Sequence, residues 1–222
     1  MIATVNFGNF NSWADFSLIR TSKTISPPEP KEYTVEVEGS DGELDLTEYF
    51  GETKFKNRKL TFKFSTVVPR TQVQFLAQYS DIQNKLHGQR MKISLEEEPE
   101  FYYFGRIKVK SWKISKGIGE IVIECNVDPY KYKQSKTLFS FTVSETLEQY
   151  VLPNLRKQVI PTFKITAPTT IVFEHSTYVI GAAGMTGEQS YIIPEIALSE
   201  GNNIISMSGG GTVKIEYQEG GL

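Results

Sequence analysis

The stretch LTFKFS, residues 60–65, sets Leu60, Phe62 and Phe64 against Thr61, Lys63 and Ser65. A period of two belongs to a strand with one dry face, and a slip of one residue would turn both rings into water. This segment therefore points its aromatic bulk inward and Lys63 outward. The pattern recurs on both sides. EYTVEVEG alternates Tyr33, Val35 and Val37 with Thr34, Glu36 and Glu38, then meets Gly39 and the Asp41-Gly42 dipeptide, after which Leu44 and Leu46 resume it. Two such runs about an Asp-Gly predict a hairpin with one buried face. Farther on, MKISLEE, EFYYFGRIKVKSWKIS and EIVIECNV read as strands, the last two framing a turn that bears Gly117 and Gly119.

One segment breaks the period. VPRTQVQFLAQYSDIQNKLHGQR places Val73, Leu76, Tyr79 or Ser80, Ile82 and Leu86 at spacings of three and four. That spacing predicts an amphipathic helix near 70–87, with Pro69 by its start and Gly88 as its stop. Such a helix should lie over the open face of a sheet. Its polar side is rich in Gln and Asn, which argues against a membrane-surface role.

The polar, basic segment DPYKYKQSK carries a proline and reads as a link between domains. Beyond it Gly, Thr and Ser rise, and KTLFSFTV, TFKITAP, TTIVFEH, STYVIGA, QSYIIPEIAL, NIISMSG and TVKIEYQ give about seven short strands. ETLEQYVLPNLRK among them reads as a short helical turn. The expected fold is mainly β, in two parts. Residues 1–130 form a β-domain with one amphipathic helix, 131–137 form a linker, and 138–222 form an antiparallel β-sandwich.

Charge and cysteine content narrow the function. The net charge of -2 argues against a nucleic-acid binder that works through a general basic field. Cys125 is the single cysteine, so no internal disulfide forms, and its alternation with Ile121 and Ile123 places it in a core. The N-terminus lacks a basic flank leading into an apolar stretch, and no window of about 18 apolar residues exists. These features predict a soluble protein made in a reducing compartment.

Catalytic patterns are absent from the sequence. His87 belongs to the helix end and His175 to a strand end, without the spacing of a zinc site. Glu96, Glu97, Glu98 and Glu100 could act as paired carboxylates on a glycan, but a charge run broken by Pro99 reads more simply as a solvated loop. SGGGT at 208–212 lacks the Gly-Lys-Ser/Thr ending of a phosphate loop and sits between strands. GAAGMTG at 181–187 reads as a mobile loop, and no Gly-x-Ser-x-Gly elbow occurs. No catalytic residue, metal or cofactor is expected. Tyr178, Tyr191 and Tyr217 remain as candidates to stack on sugar rings, against the alternative that they are half-buried structure.

GSDGELDLTEY, Asn57-Arg58, LHGQ, YYFGRI and the closing EGNNIISMSGGGTVKIEYQEGGL follow one another along nearly the whole chain. In this order they resemble the distal tail protein family of long, flexible-tailed phages of Gram-positive hosts and their prophages. The resemblance implies an N-terminal β-domain that closes head to tail into a hexameric ring. It also implies a C-terminal sandwich similar to galectins or carbohydrate-binding modules. Its implied partners are further copies of itself, the tail tube protein, the tail-associated hub protein and a receptor-binding protein. It implies a place at the virion tail tip, assembled in the host cytoplasm, with neither a membrane span nor sequence-specific nucleic-acid binding. About 85 residues follow the linker, enough for a bare sandwich without a long arm. Asp41, Gly42, Asn57 and Arg58 are the candidates for positioning ring-forming strands, with Arg58 equally a local ion-pair partner. The other reading from a different class is a monomeric protein that binds cell-wall glycan through the tyrosines.

Overall fold

The structure, a computed structural model, describes residues 3–49 and 51–222. The chain divides into two units, Met1–Lys131 and Tyr132–Leu222.

The first unit contains β1 (Val5–Phe7), β2 (Phe10–Asn11), β3 (Leu18–Ile25), β4 (Thr34–Glu36), β5 (Glu43–Asp45) and β6 (Arg58–Thr66). Helix α1 (Gln72–Leu86) follows, then β7 (Arg90–Leu95), β8 (Phe101–Ser115) and β9 (Ile118–Val127). The main sheet is antiparallel in the order β2-β1-β7-β8-β9-β6-β3. Leu60, Phe62 and Phe64 are all buried, and Lys59 and Lys63 are exposed, so the alternation does set the face. Phe7 meets Phe62 and Phe64 edge-on, at centroid distances of 6.0 and 6.1 Å. The turn between β8 and β9 places Lys116 and Gly117 at positive φ, 51° and 80°, as a two-residue turn matched to strand twist requires.

Helix α1 starts at a capping box: the Gln74 amide donates to the Thr71 hydroxyl, and the Thr71 amide donates to the Gln74 side chain. Its buried stripe is Phe75, Ile82 and Leu86, with Tyr79 packed beside them. The face follows the expected one at Tyr79, Ile82 and Leu86 and differs from it in the first turn. Val73 is 77% exposed and Leu76 lies outside the core. The reason sits on β9. Gly119 has no side chain, and the Phe75 ring occupies the place a Cβ would take. Trp112 of β8 completes the seat, 5.5 Å from Phe75 and 5.7 Å from Tyr79 by ring centroids.

The hairpin at Asp41-Gly42 forms in the expected alternation, with Val35 opposite Leu44 and Glu36 opposite Glu43. The expectation of a buried face is overturned. Among the described residues, strands β4 and β5 pair with each other and with no other strand, and every residue in them is exposed. Val35 is 46% and Leu44 54% accessible.

The chain passes between the units at β10 (Lys131–Lys133). The second unit holds β11 (Thr137–Thr142), β12 (Glu148–Asn154), β13 (Thr162–Ile165), β14 (Thr169–Phe173), β15 (Ser176–Ile180), β16 (Gln189–Ile192), β17 (Gly201–Ser208), β18 (Thr212–Tyr217) and β19 (Gly220–Gly221). Two four-stranded antiparallel sheets form, β11-β18-β13-β16 and β12-β17-β14-β15. Phe163, Ile165, Val213 and Ile215 from the first share a core with Leu152, Ile171, Ile205 and Met207 from the second. This is a sandwich. The segment expected as a helical turn is instead strand β12, paired with β17 along its length. Leu152 and Asn154 alternate inward there, and Pro153 is tolerated because β12 is an edge strand.

Within 131–137 the chain is not a free tether. The Lys133 amide donates to the Glu219 carbonyl at 3.2 Å, and its ammonium meets the Glu219 carboxylate at 2.5 Å. The Thr137 hydroxyl donates to the same carboxylate, which is buried.

Candidate functional site

The residues singled out in the sequence do not converge on a cleft. Asp41 and Gly42 stand at the hairpin tip, where Gly39 and Gly42 supply positive φ at 84° and 78°. The tip is lined by Glu36, Val37, Glu38, Ser40 and Glu43 around an open depression. Carboxylates on one face and Tyr33, Val35, Val37 and Leu44 on the other leave this hairpin with two unlike surfaces, both toward solvent.

Asn57 and Arg58 part company. Asn57 is exposed, whereas Arg58 is 5% exposed at the start of β6. Its guanidinium lies 4.8 Å from the centre of the Tyr103 ring. Burial lowers its pKa, while the Tyr103 and Glu98 charges oppose the shift. Glu98 in turn takes the Lys131 ammonium at 3.0 Å. Arg58 is thus buried in its own unit, but its Nε and Nη2 have no hydrogen-bond partner there and no ion pair to it forms among the described residues. No spacing along the chain points to Tyr103 and Glu98 as its neighbours, because they come from β8 and the loop before it.

Three members of the acidic run, Glu96, Glu97 and Glu98, are held by partners in their own unit, and Glu100 is exposed. Glu96 accepts from the Thr4 amide and hydroxyl, Glu97 pairs with Arg20 and with Lys23 at 3.2 Å, and Glu98 holds Lys131. Hydrogen bonding from Arg20 pulls the Glu97 carboxyl down to about 2, the opposite of what a general acid needs. The Cys125 thiol is buried and pushed up by desolvation, which disfavours the thiolate. His87 caps α1: its Nδ1 accepts from the Val109 amide at 3.1 Å, next to the register shift between Val109 and Ser111. His175 is exposed in the turn between β14 and β15. Among the described residues no group of three or more His, Cys, Asp or Glu is placed to hold a metal ion. The SGGGT segment is the β17–β18 turn, with Gly209 and Gly210 at φ 146° and 71° and both amides directed at the Ser144 carbonyl.

The three tyrosines also separate. Tyr217 is 3% exposed, with its hydroxyl donating to the Pro153 carbonyl, so it has no face for a sugar and its candidacy is corrected. Tyr178 and Tyr191 are half-buried and packed against the core, Tyr178 on β15 in one sheet and Tyr191 on β16 in the other. They do not form one platform.

A helix-bearing antiparallel β-unit followed by a two-sheet sandwich defines the fold. No family model and no curated protein matches the sequence. A solved structure does match: the crystal structure of the SPP1 Dit (gp 19.1) protein, described as a paradigm of the hub adsorption apparatus in phages that infect Gram-positive bacteria. The two chains superpose over 100% of each, with a TM-score of 0.78 and 14% sequence identity. The chain therefore shares that fold from end to end.

Proposed function

We propose that this chain is a structural protein of a phage tail tip. Six copies close head to tail through the Met1–Lys131 unit, and the ring joins the tail tube to the tail-associated hub and the host-adhesion apparatus. The sandwich offers its surface to a receptor-binding protein. No side chain carries out a reaction. The observation behind this reading is the end-to-end likeness to a phage hub protein. The solvent-facing apolar hairpin supports it, since a ring needs a heterologous interface with two different faces on each protomer. The proposed place is the distal end of the tail in the virion, after assembly in the host cytoplasm.

Size-exclusion chromatography with light scattering, with and without the tail tube and hub proteins, tests this. The expected species has six times the 25.1 kDa protomer mass and appears as rings in negative stain. A strict monomer in the presence of both partners, retained on immobilised cell-wall glycan, would favour the sugar-binding reading instead.

A further inference from the structure

We infer that the β4–β5 hairpin of one copy seats on the outward face of the β8–β9–β6 sheet of a second copy. The inference deepens the ring reading and rests on it for the identity of the partner. Residues 32–53 contain eight carboxylates and no Lys or Arg. With the whole chain at only -2, the remainder is net positive. The charge is segregated, and the structure shows where each part lies.

On the acidic side, Glu36 and Glu43 stand directly opposite each other in the hairpin. Like charges in that position are destabilising, and a two-stranded hairpin without a third layer is marginal in water. Its apolar face, centred on the Val35–Leu44 pair, is about half exposed and belongs to neither hydrophobic core. Both faces of this element call for a surface that supplies cations and apolar contact together.

On the basic side, Lys59 and Lys63 of β6 and Arg106, Lys108 and Lys113 of β8 project from the exposed face of the sheet, where β9 contributes two carboxylates, Glu120 paired with Lys113 and Glu124 paired with Lys110. In register, Lys59, Asn126 and Arg106 form one row across the three strands, and Lys63, Val122 and Ser111 form another. Lys59, Lys63 and Lys108 have no carboxylate partner within the protomer among the described residues. Beside the second row lies a shallow groove of about 310 Å³, lined on this face by Lys63, Ser111, Lys113, Glu120 and Val122, in which Glu120 already holds Lys113 at 2.9 Å. Val37, flanked by Glu36 and Glu38, offers the matching order of an apolar side chain between two carboxylates. Charge complementarity of this kind fixes register and raises the encounter rate.

Disulfide trapping between full-length chains tests the contact, because each variant carries one accessible thiol and Cys125 is buried. Ser40→Cys at the hairpin tip is mixed with Ser111→Cys in the groove and oxidised; Ser140→Cys on the sandwich serves as control. The expected yield of two-chain product is at least tenfold above control. It should fall to control level when the groove variant also carries Lys63→Glu, and return when the hairpin variant also carries Glu36→Lys and Glu43→Lys. Control-level yield for the first pair, or undiminished linking with Lys63→Glu, overturns the docking. Rings in negative stain without that link leave the ring reading standing and remove the docking. A specific link in a protein absent from tails does the reverse.

Discussion

The Tyr217 hydroxyl donates to the Pro153 carbonyl at 2.5 Å, and so ties β18 in one sheet of the sandwich to β12 at the edge of the other. Tyr217→Phe keeps the ring in the core and removes only this bond. The expected cost is about 1 kcal/mol, read as a lowered urea midpoint with an unchanged slope. A loss indistinguishable from zero would mean the bond adds nothing to joining the sheets.

Gly119→Ala addresses the seat of α1. The added methyl would enter the space of the Phe75 ring, between two rigid elements. Overpacking of this kind costs about 1–3 kcal/mol. The pair Gly119→Ala with Phe75→Leu should recover part of it, measured by thermal unfolding. No recovery would place the strain elsewhere.

These two sites show what the sequence could and could not convey. Leu60, Phe62 and Phe64 were legible because a strand's inward face is written within its own period. Tyr79, Ile82 and Leu86 of α1 are legible in the same way, but the first turn is not, because Phe75 is selected over Val73 and Leu76 by a glycine on another strand. Strand β12 was misread since Glu, Leu and Gln favour a helix locally, and pairing with β17 overrides them. The hairpin's register was written around Asp41-Gly42, but its exposure was not. An alternating pattern says that one face seeks an apolar partner and leaves open whether that partner is in the same chain. The sequence leaves the role of Arg58 open because Tyr103 and Glu98, its surroundings, are set by the sheet order alone.

Acid should weaken both units through different carboxylates. Hydrogen bonds from Lys136 and Lys164 hold the Glu216 carboxyl down to about 2, from an ordinary 4.5, and Arg20 does the same for Glu97. A depressed folded-state pKa contributes stability that is full above about 4.5 and is lost as pH falls toward about 2. Solvent screening at these surface pairs keeps each contribution below about 1 kcal/mol. Melting temperature against pH should show a shallower acid limb in Glu216→Gln than in the parent. An unchanged limb would contradict the pairing with Lys136 and Lys164.

Leu44→Asn separates folding from assembly. Leu44 is exposed and lies outside both hydrophobic cores, so the protomer's stability should stay within about 0.5 kcal/mol of the parent. Ring formation with tail partners should be lost. A large drop in protomer stability would show that the hairpin already has a use inside the single chain.

The most direct test of the central claim is electron microscopy of the assembled particle with this chain labelled. The account predicts six labels in one closed ring at the distal end of the tail, next to the tube. Particles without the label, or a label on isolated single copies away from that end, would contradict it.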